Sequence, residues 1–294
     1  MTQESPLHRY TSAAVVSSGK VIQEYSTSFG LACRFLGKQA RYDIGSVYAM
    51  VRLADEIVDG VAQEAGLAPQ ATLEALDELE AQTEAALETG YSTNLIVHAF
   101  ATTANIHGIT SELTRPFFRS MRADLCRQQH TAETLQDYIY GSAEVVGLMC
   151  LAVFRDMPGT DTSDDDTLVT SARRLGAAFQ KVNFLRDLAT DYAELGRSYF
   201  PGIDPAALSE AEKQLLVDDI RADLRAAEPG LRMLDPKARI AVDIAYRLFS
   251  ELTDALDQRP ANELISRRVR VNNARKVAIA AQTVSTNLLK KSRA

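Results

Sequence analysis

The 294-residue sequence contains no tryptophan, only three cysteines and only four histidines. Cys33, Cys126 and Cys150 are odd in number, widely spaced and free of any CxxC pattern, which argues against a disulfide framework or a zinc-thiolate site and fits a reducing cytoplasm. His8, His98, His107 and His130 form no HExxH cluster, and no GxSxG elbow or Walker loop is present, so hydrolase and kinase chemistry find no support. Basic charge is in the minority, 32 residues against 39 acidic ones for a net charge of -7. That balance supplies no global field for a phosphate backbone, and no nucleic-acid partner is expected. An anionic substrate must therefore be met locally, by metal ions or a few placed arginines. The first twenty residues lack the apolar stretch of a secretory signal. The longest apolar run, Val145 to Phe154, spans ten residues, where a membrane-crossing helix needs about 20. A cytoplasmic protein is expected, with membrane contact limited to peripheral association on the inner face of the cell membrane.

Glycine and proline are also scarce, at 15 and 9 residues, and cluster at a few breaks between stretches rich in Ala, Leu, Glu, Arg, Val and Gln. These are mostly helix-tolerant residues, and no alternating strand pattern competes with them. The reading is all-α, with helices over 11–36, 42–60, 71–89, 92–106, 110–127, 131–154, 164–193, 209–228, 236–257 and 263–289. No internal repeat, low-complexity tract or long linker divides the chain, so residues 1–294 read as a single domain. The 46% hydrophobic content is enough for a large core. Helices 42–60 and 131–154 are apolar on more than one face, which places them in the middle of a bundle.

Charged residues on such a central helix carry information. The segment Ile44 to Asp59 is apolar except for Arg52, Asp55, Glu56, Asp59 and the hydroxyls of Ser46 and Tyr48. At about 100° per residue, Tyr48, Arg52, Asp55 and Asp59 form one polar line. Two carboxylates at i and i+4 repel, and in an apolar interior that repulsion calls for a cation between them. A second line, Gln180, Asn183, Asp187 and Asp191, lies in Leu175 to Asp191, with Phe179, Val182 and Leu185 on another face. These are oxygen ligands and amides without His or Cys, the hard donor set suited to Mg²⁺ rather than Zn²⁺. Two such stripes facing each other across a cavity would hold several Mg²⁺ ions and, through them, a diphosphate.

With these residues in view the sequence resembles the squalene and phytoene synthase type of trans-isoprenyl diphosphate synthase. The resemblance is carried, in order, by Tyr25-Ser-Thr-Ser-Phe29, Tyr48 to Gly60 (YAMVRLADEIVDG), Tyr138 to Met149 (YIYGSAEVVGLM), Leu175 to Asp191, and Gly196-Arg-Ser-Tyr-Phe-Pro201. The YGSAEVVGLM form is most similar to bacterial phytoene synthases. The resemblance implies an isoprenoid-synthase helical bundle whose central cavity takes two molecules of geranylgeranyl diphosphate and Mg²⁺, with Mn²⁺ as a substitute and no NADPH. It implies Asp55, Asp59, Asn183, Asp187 and Asp191 as metal ligands. It implies Ser26, Ser28, Tyr48, Arg52, Gln180 and Arg268 as contacts to the diphosphate or the stripes, and catalytic roles for Asp55, Asp59, Asp187, Tyr48 and Arg52. The run Arg267, Arg268, Arg270, Arg275 and Lys276 has a second reading as a solvated helix end.

The implied reaction is ionisation of one allylic diphosphate, attack by the second chain's double bond, and passage through a cyclopropylcarbinyl diphosphate to a hydrocarbon with a new central double bond. Tyr199 and Tyr246 are candidates to take the final proton, although core packing accounts for either. Phe29, Cys33 and Gly45 stand where enzymes making C30 products carry bulkier groups, which favours a C40 product. Glu144, where many relatives have a small residue, is expected to face outward, and Glu56 to support the first stripe. The competing expectations are a C30 squalene or dehydrosqualene synthase using farnesyl diphosphate, and a non-catalytic scaffold homologue; the intact carboxylates speak against the latter. A product this apolar is expected to leave toward a membrane.

Overall fold

The computed structural model describes residues 5–126, 129–195 and 197–291, with the side chains of 189, 191–195 and 288–291 outside the description. The described residues are helical throughout and contain no strand, only an isolated bridge between Gln129 and Ser198. The helices are α1 (Pro6–Tyr25), α2 (Ser28–Cys33), α3 (Lys38–Val58), α4 (Val61–Glu64), α5 (Pro69–Thr89), α6 (Leu95–His107), α7 (Ser111–Cys126), α8 (Ala132–Ile139), α9 (Val145–Arg155), α10 (Asp165–Leu195), α11 (Glu210–Met233), α12 (Pro236–Asp257), α13 (Ala261–Leu264) and α14 (Asn273–Lys291). The all-α expectation holds. Helix α3 sits at the centre, packed by α1, α5, α6, α7 and α9, and it buries Ile44, Val47, Ala49, Met50 and Ala54.

Three expected helices differ from those observed. The first, 11–36, is broken between α1 and α2, because Ser26 turns extended (φ -132°) and its Oγ accepts from the N–H groups of Phe29 and Gly30 at 3.1 and 3.3 Å. A serine side chain that satisfies two otherwise orphaned donors starts a new helix instead of continuing the old one. The last, 263–289, is interrupted from 265 to 272, so Arg267, Arg268 and Arg270 of the arginine-rich run lie on a loop, while Arg275 and Lys276 stand in the first turn of α14. In the other direction, α11 continues past 228 through Pro229 to Met233. There the N–H of Gly230 donates to Ser171 Oγ at 2.9 Å, and Gly230 is pressed against Ser171 so closely that a Cβ would lie 2.5 Å from it.

The helix expected over 131–154 is continuous but contains a π turn at Tyr140–Glu144 between α8 and α9. Such bulges release a backbone carbonyl from the regular ladder; here Ser120 Oγ donates to the Tyr138 carbonyl at 3.1 Å. Gly141, Gly147 and Gly176 then let backbones touch: a Cβ at Gly147 or Gly176 would lie 2.5 Å from the Ala172 or Ala143 carbonyl oxygen. Glu144 leaves the cavity and pairs with Arg173 at 2.6 Å, as expected. The stretch Ala132–Arg155 is long and apolar enough to cross a membrane by length and composition, but half of it is buried in the bundle. Together α3, α9, α10 and α12 wall a single large space.

Candidate active site

Helix α3 ends because Gly60 takes a left-handed conformation (φ +107°), which fixes Asp59 as its C-cap, one turn beyond Asp55. Helix α10, the longest at 31 residues, carries Gln180, Asn183 and Asp187 on one face. Both faces line a cavity of about 1020 Å³, at the upper end of the ~300–1,000 Å³ usual for small-molecule sites. Ser26, Ser28, Tyr48, Arg52, Asp55, Asp59, Gln180, Asn183, Asp187 and Arg268, all singled out in the sequence, line this one space. The side chain of Asp191 lies outside the described residues.

The electrostatics divide the polar end into two halves. On the α3 side, Arg197 Nη1 donates to Asp59 Oδ1 at 2.9 Å and its Nη2 to the Val58 carbonyl at 2.8 Å, while Asp124 lies 3.9 Å away. Asp124 Oδ2 also accepts from the Tyr138 hydroxyl at 2.8 Å. Burial works against the Arg197 charge, but Asp124, Tyr199 and Asp59 more than offset it and hold the guanidinium charged. Asp55 is left short of cations. Its remaining exposure opens into the cavity, and burial, then the charge of Asp59, push its pKa up to about 7 against the pull of Arg52. Arg52 itself pairs with Glu56 and lies 4.6 Å above the Tyr25 ring, so Glu56 supports the first stripe as expected.

On the α10 side, Asp187 is gripped by two arginines. Arg268 Nε is 2.7 Å from Oδ1, and Arg186 Nε donates to the same oxygen at 2.9 Å. Lys276 Nζ donates to Thr27 Oγ1 at 2.8 Å, and burial together with nearby Arg186 and Arg270 holds its pKa below the ordinary lysine value. Arg186, Arg268, Arg270 and Lys276 thus gather four cationic side chains around Asp187 at this end of the cavity, a setting for accepting an anion.

The donor set fits divalent cations. Asp59 and Asp124 share the buried Arg197 guanidinium, while Asp55 has no ion pair of its own among the described residues and lines the cavity beside them, so the oxygen donors outnumber the cations on this side. Among the described residues no three His, Cys, Asp or Glu side chains converge into a ready-made metal cluster. Mg²⁺ commonly takes one or two carboxylates and completes its shell with water and substrate phosphate, so facing pairs suit it better than a cage.

The deeper wall is apolar, with Phe29, Cys33, Leu36, Cys150, Leu151 and Phe154 among its residues. Phe29 stacks on Tyr48 with ring centroids 5.6 Å apart, and burial raises the Tyr48 pKa. Burial also pushes Cys150 up to about 12 and raises Cys33, so both remain thiols and serve as small apolar wall groups. Gly45 is buried on α3 and a Cβ there would meet no heavy atom within 4 Å, although the residue itself is not part of the cavity lining. Of the two tyrosines considered for the final proton, Tyr199 lines the cavity; Tyr246 does not and donates to Glu228 at 2.9 Å.

Sequence reasoning missed Asp124, Tyr138, Arg186 and Arg197, and named Lys276 only as a member of the basic run. Asp124 had a signal, since it follows the buried Ser120 and Met121 by four and three positions and so lies on the apolar face of α7. Arg186, Arg197 and Tyr138 stood inside the quoted motifs but were given no role.

A sequence model of the squalene/phytoene synthase family matches residues 22–275. The phytoene synthase of Arthrospira platensis is 30% identical over 265 residues, covering 81% of this chain and 82% of that one. The 15-cis-phytoene synthase of Paracoccus sp. is 28% identical over 284 residues, covering 90% of this chain and 89% of that one. The chloroplastic phytoene synthase 3 of Zea mays is 28% identical over 268 residues, 86% of this chain, which spans only 61% of the maize protein. Among solved structures, a dehydrosqualene synthase in complex with ligand superposes with a TM-score of 0.77 at 22% identity, covering 98% of this chain and all of that one. At that identity the likeness speaks for the fold.

Proposed function

The chain belongs to the squalene/phytoene synthase family, and from that premise we propose that it joins two geranylgeranyl diphosphates head to head to form phytoene. The observation that carries the reading is the single cavity with carboxylate stripes on two helices at one end and an apolar wall along the rest. Asp55, Asp59, Asn183 and Asp187 would hold Mg²⁺, which neutralises diphosphate charge and makes it a leaving group. The protein's own cations, Arg268 and Arg186 beside Asp187 and Lys276 near them, bind and orient the diphosphates from the α10 end of the cavity. The apolar wall excludes water, so the allylic cation left when the C–O bond breaks is captured by the second chain's double bond and not by hydrolysis. Tyr199, stacked on Phe184 with centroids 4.0 Å apart, is held rigidly at the same end. It is placed to accept a proton or to shield the cation with its ring face.

The C40 reading rests on the relatives named as phytoene synthases and on the small side chain of Cys33 in the wall. The product is taken to leave toward a membrane, with the protein cytoplasmic and peripherally bound. The test is to give purified protein and Mg²⁺ either geranylgeranyl or farnesyl diphosphate, with and without reduced nicotinamide cofactor, and to weigh the extracted hydrocarbon by mass spectrometry. A C40 product without nicotinamide is expected. A C30 product moves the substrate to farnesyl diphosphate and keeps the mechanism; no product from either diphosphate favours a scaffold.

A further inference from the structure

The arginine-rich loop 265–272 has two sides. Its inner side, with Arg268, Val269 and Arg270, forms part of the active-site wall. Its outer side closes a separate groove of about 400 Å³ against the end of α12 and α13, lined by Arg259, Arg267, Arg268 and Arg270, with Glu263 as its one acidic residue. The Arg268 guanidinium is held by Asp187 in the cavity, which leaves those of Arg259, Arg267 and Arg270 to face one carboxylate, and Glu263 is already paired with Arg259 at 2.9 Å. Among the described residues neither Arg267 nor Arg270 makes a side-chain hydrogen bond or ion pair. On a chain of net charge -7, this is a local concentration of positive charge in a concave site, not part of a general basic surface.

We propose that this groove is a second anion site, built for a phosphate-bearing ligand, and that its ligand is the inorganic diphosphate released by the reaction. Guanidinium forks pair with phosphate oxygens bidentately, and the three of Arg259, Arg267 and Arg270 in one groove exceed the need of a single surface ion pair. Free diphosphate is favoured over other phosphates because Arg268 and Arg270 belong to both sites. An anion leaving the cavity can pass from one side of the loop to the other without losing guanidinium contact. The identity of the ligand rests on the proposed condensation; the existence of the site does not.

The experiment is isothermal titration of inorganic diphosphate into the metal-free full-length protein, which reads the groove whether or not the protein makes a hydrocarbon. Arg259→Gln/Arg267→Gln removes cations that line only the groove, and at least a tenfold loss of affinity is expected at unchanged thermal midpoint. Glu263→Gln, which removes the only opposing charge, is expected to tighten binding several-fold, a gain that misfolding cannot produce. Lys276→Gln weakens only diphosphate held in the cavity, so its binding isotherm is expected to keep the component that Arg259→Gln/Arg267→Gln removes. Binding that survives the double arginine variant but is lost with Lys276→Gln places the anion in the cavity only and overturns the proposal. In a parallel arm the proteins are sedimented with vesicles of neutral or anionic phospholipid. Equal pelleting of wild type and the double variant is expected, and loss of anionic-vesicle binding without loss of diphosphate binding assigns the groove to a lipid headgroup and overturns the diphosphate reading.

Discussion

Arg268 Nε lies 2.7 Å from Asp187 Oδ1, joining a loop near the C-terminal end to the carboxylate stripe of α10. The contact makes Arg268 a counter-charge within the active site, replaceable by a metal on one side and a diphosphate on the other. Replacing Arg268 with Gln is expected to raise KM for the prenyl diphosphate about tenfold, with a smaller fall in kcat, because the lost interaction is mainly with the bound ground state. Arg268→Lys should lie between. Steady-state kinetics check this, and an unchanged KM in Arg268→Gln contradicts it.

Asp55 should make the metal-free protein less stable as pH rises. Burial and Asp59 push its pKa up to about 7, above the ordinary carboxylate value it has when unfolded. Between those two values the folded state holds a proton that the unfolded chain has released, so stability falls through this window and levels off above it. Asp55→Asn removes the penalty. In chelator, its melting temperature should exceed that of wild type at pH 8, by an amount equivalent to about 4 kcal/mol, and converge with it near pH 4. Added Mg²⁺ should narrow the gap. A difference independent of pH contradicts the account.

Two buried glycines should respond oppositely to alanine. A Cβ at Gly176 would lie 2.5 Å from the Ala143 carbonyl oxygen, where α10 meets the π turn, so Gly176→Ala must push the helices apart at a cost of about 1–3 kcal/mol. A Cβ at Gly45 meets no heavy atom within 4 Å, and Gly45→Ala should be neutral or stabilising by about 0.5–1 kcal/mol through helix propensity. Denaturant titration of both variants distinguishes them.

The apolar wall should set chain length. Cys33 lines the cavity one helical turn beyond Phe29, so Cys33→Phe fills depth that a C20 chain needs and a C15 chain needs less. Turnover of geranylgeranyl diphosphate should fall at least about tenfold relative to farnesyl diphosphate, in line with what a few methylenes contribute in a hydrophobic pocket. A parallel loss with both substrates would show that the position does not measure length.

The parts legible in the sequence were those with a helical period. Tyr48, Arg52, Asp55 and Asp59 could be placed together because each lies three or four positions from the next on an otherwise apolar helix. The same holds for Gln180, Asn183 and Asp187, and both sets line one cavity. Arg197 and Lys276 could not be found this way. Each reaches the site alone from a different element, and a single residue has no period. The break at Ser26 was hidden because a serine inside a helix-tolerant run leaves its capping role to the local backbone. The loop at 265–272 was hidden for a different reason: Arg268 finds its partner 81 positions away, a contact that no local pattern announces.

The central claim is that the two facing carboxylate helices carry out the condensation together. The measurement that tests it most directly is hydrocarbon formation from geranylgeranyl diphosphate and Mg²⁺ by wild type, Asp55→Ala and Asp187→Ala, with circular dichroism to verify that each is folded. The account predicts a C40 hydrocarbon from wild type and a loss of at least about a hundredfold in either variant, since each removes charge stabilisation of the departing diphosphate. A folded variant that keeps most of the wild-type rate would contradict it.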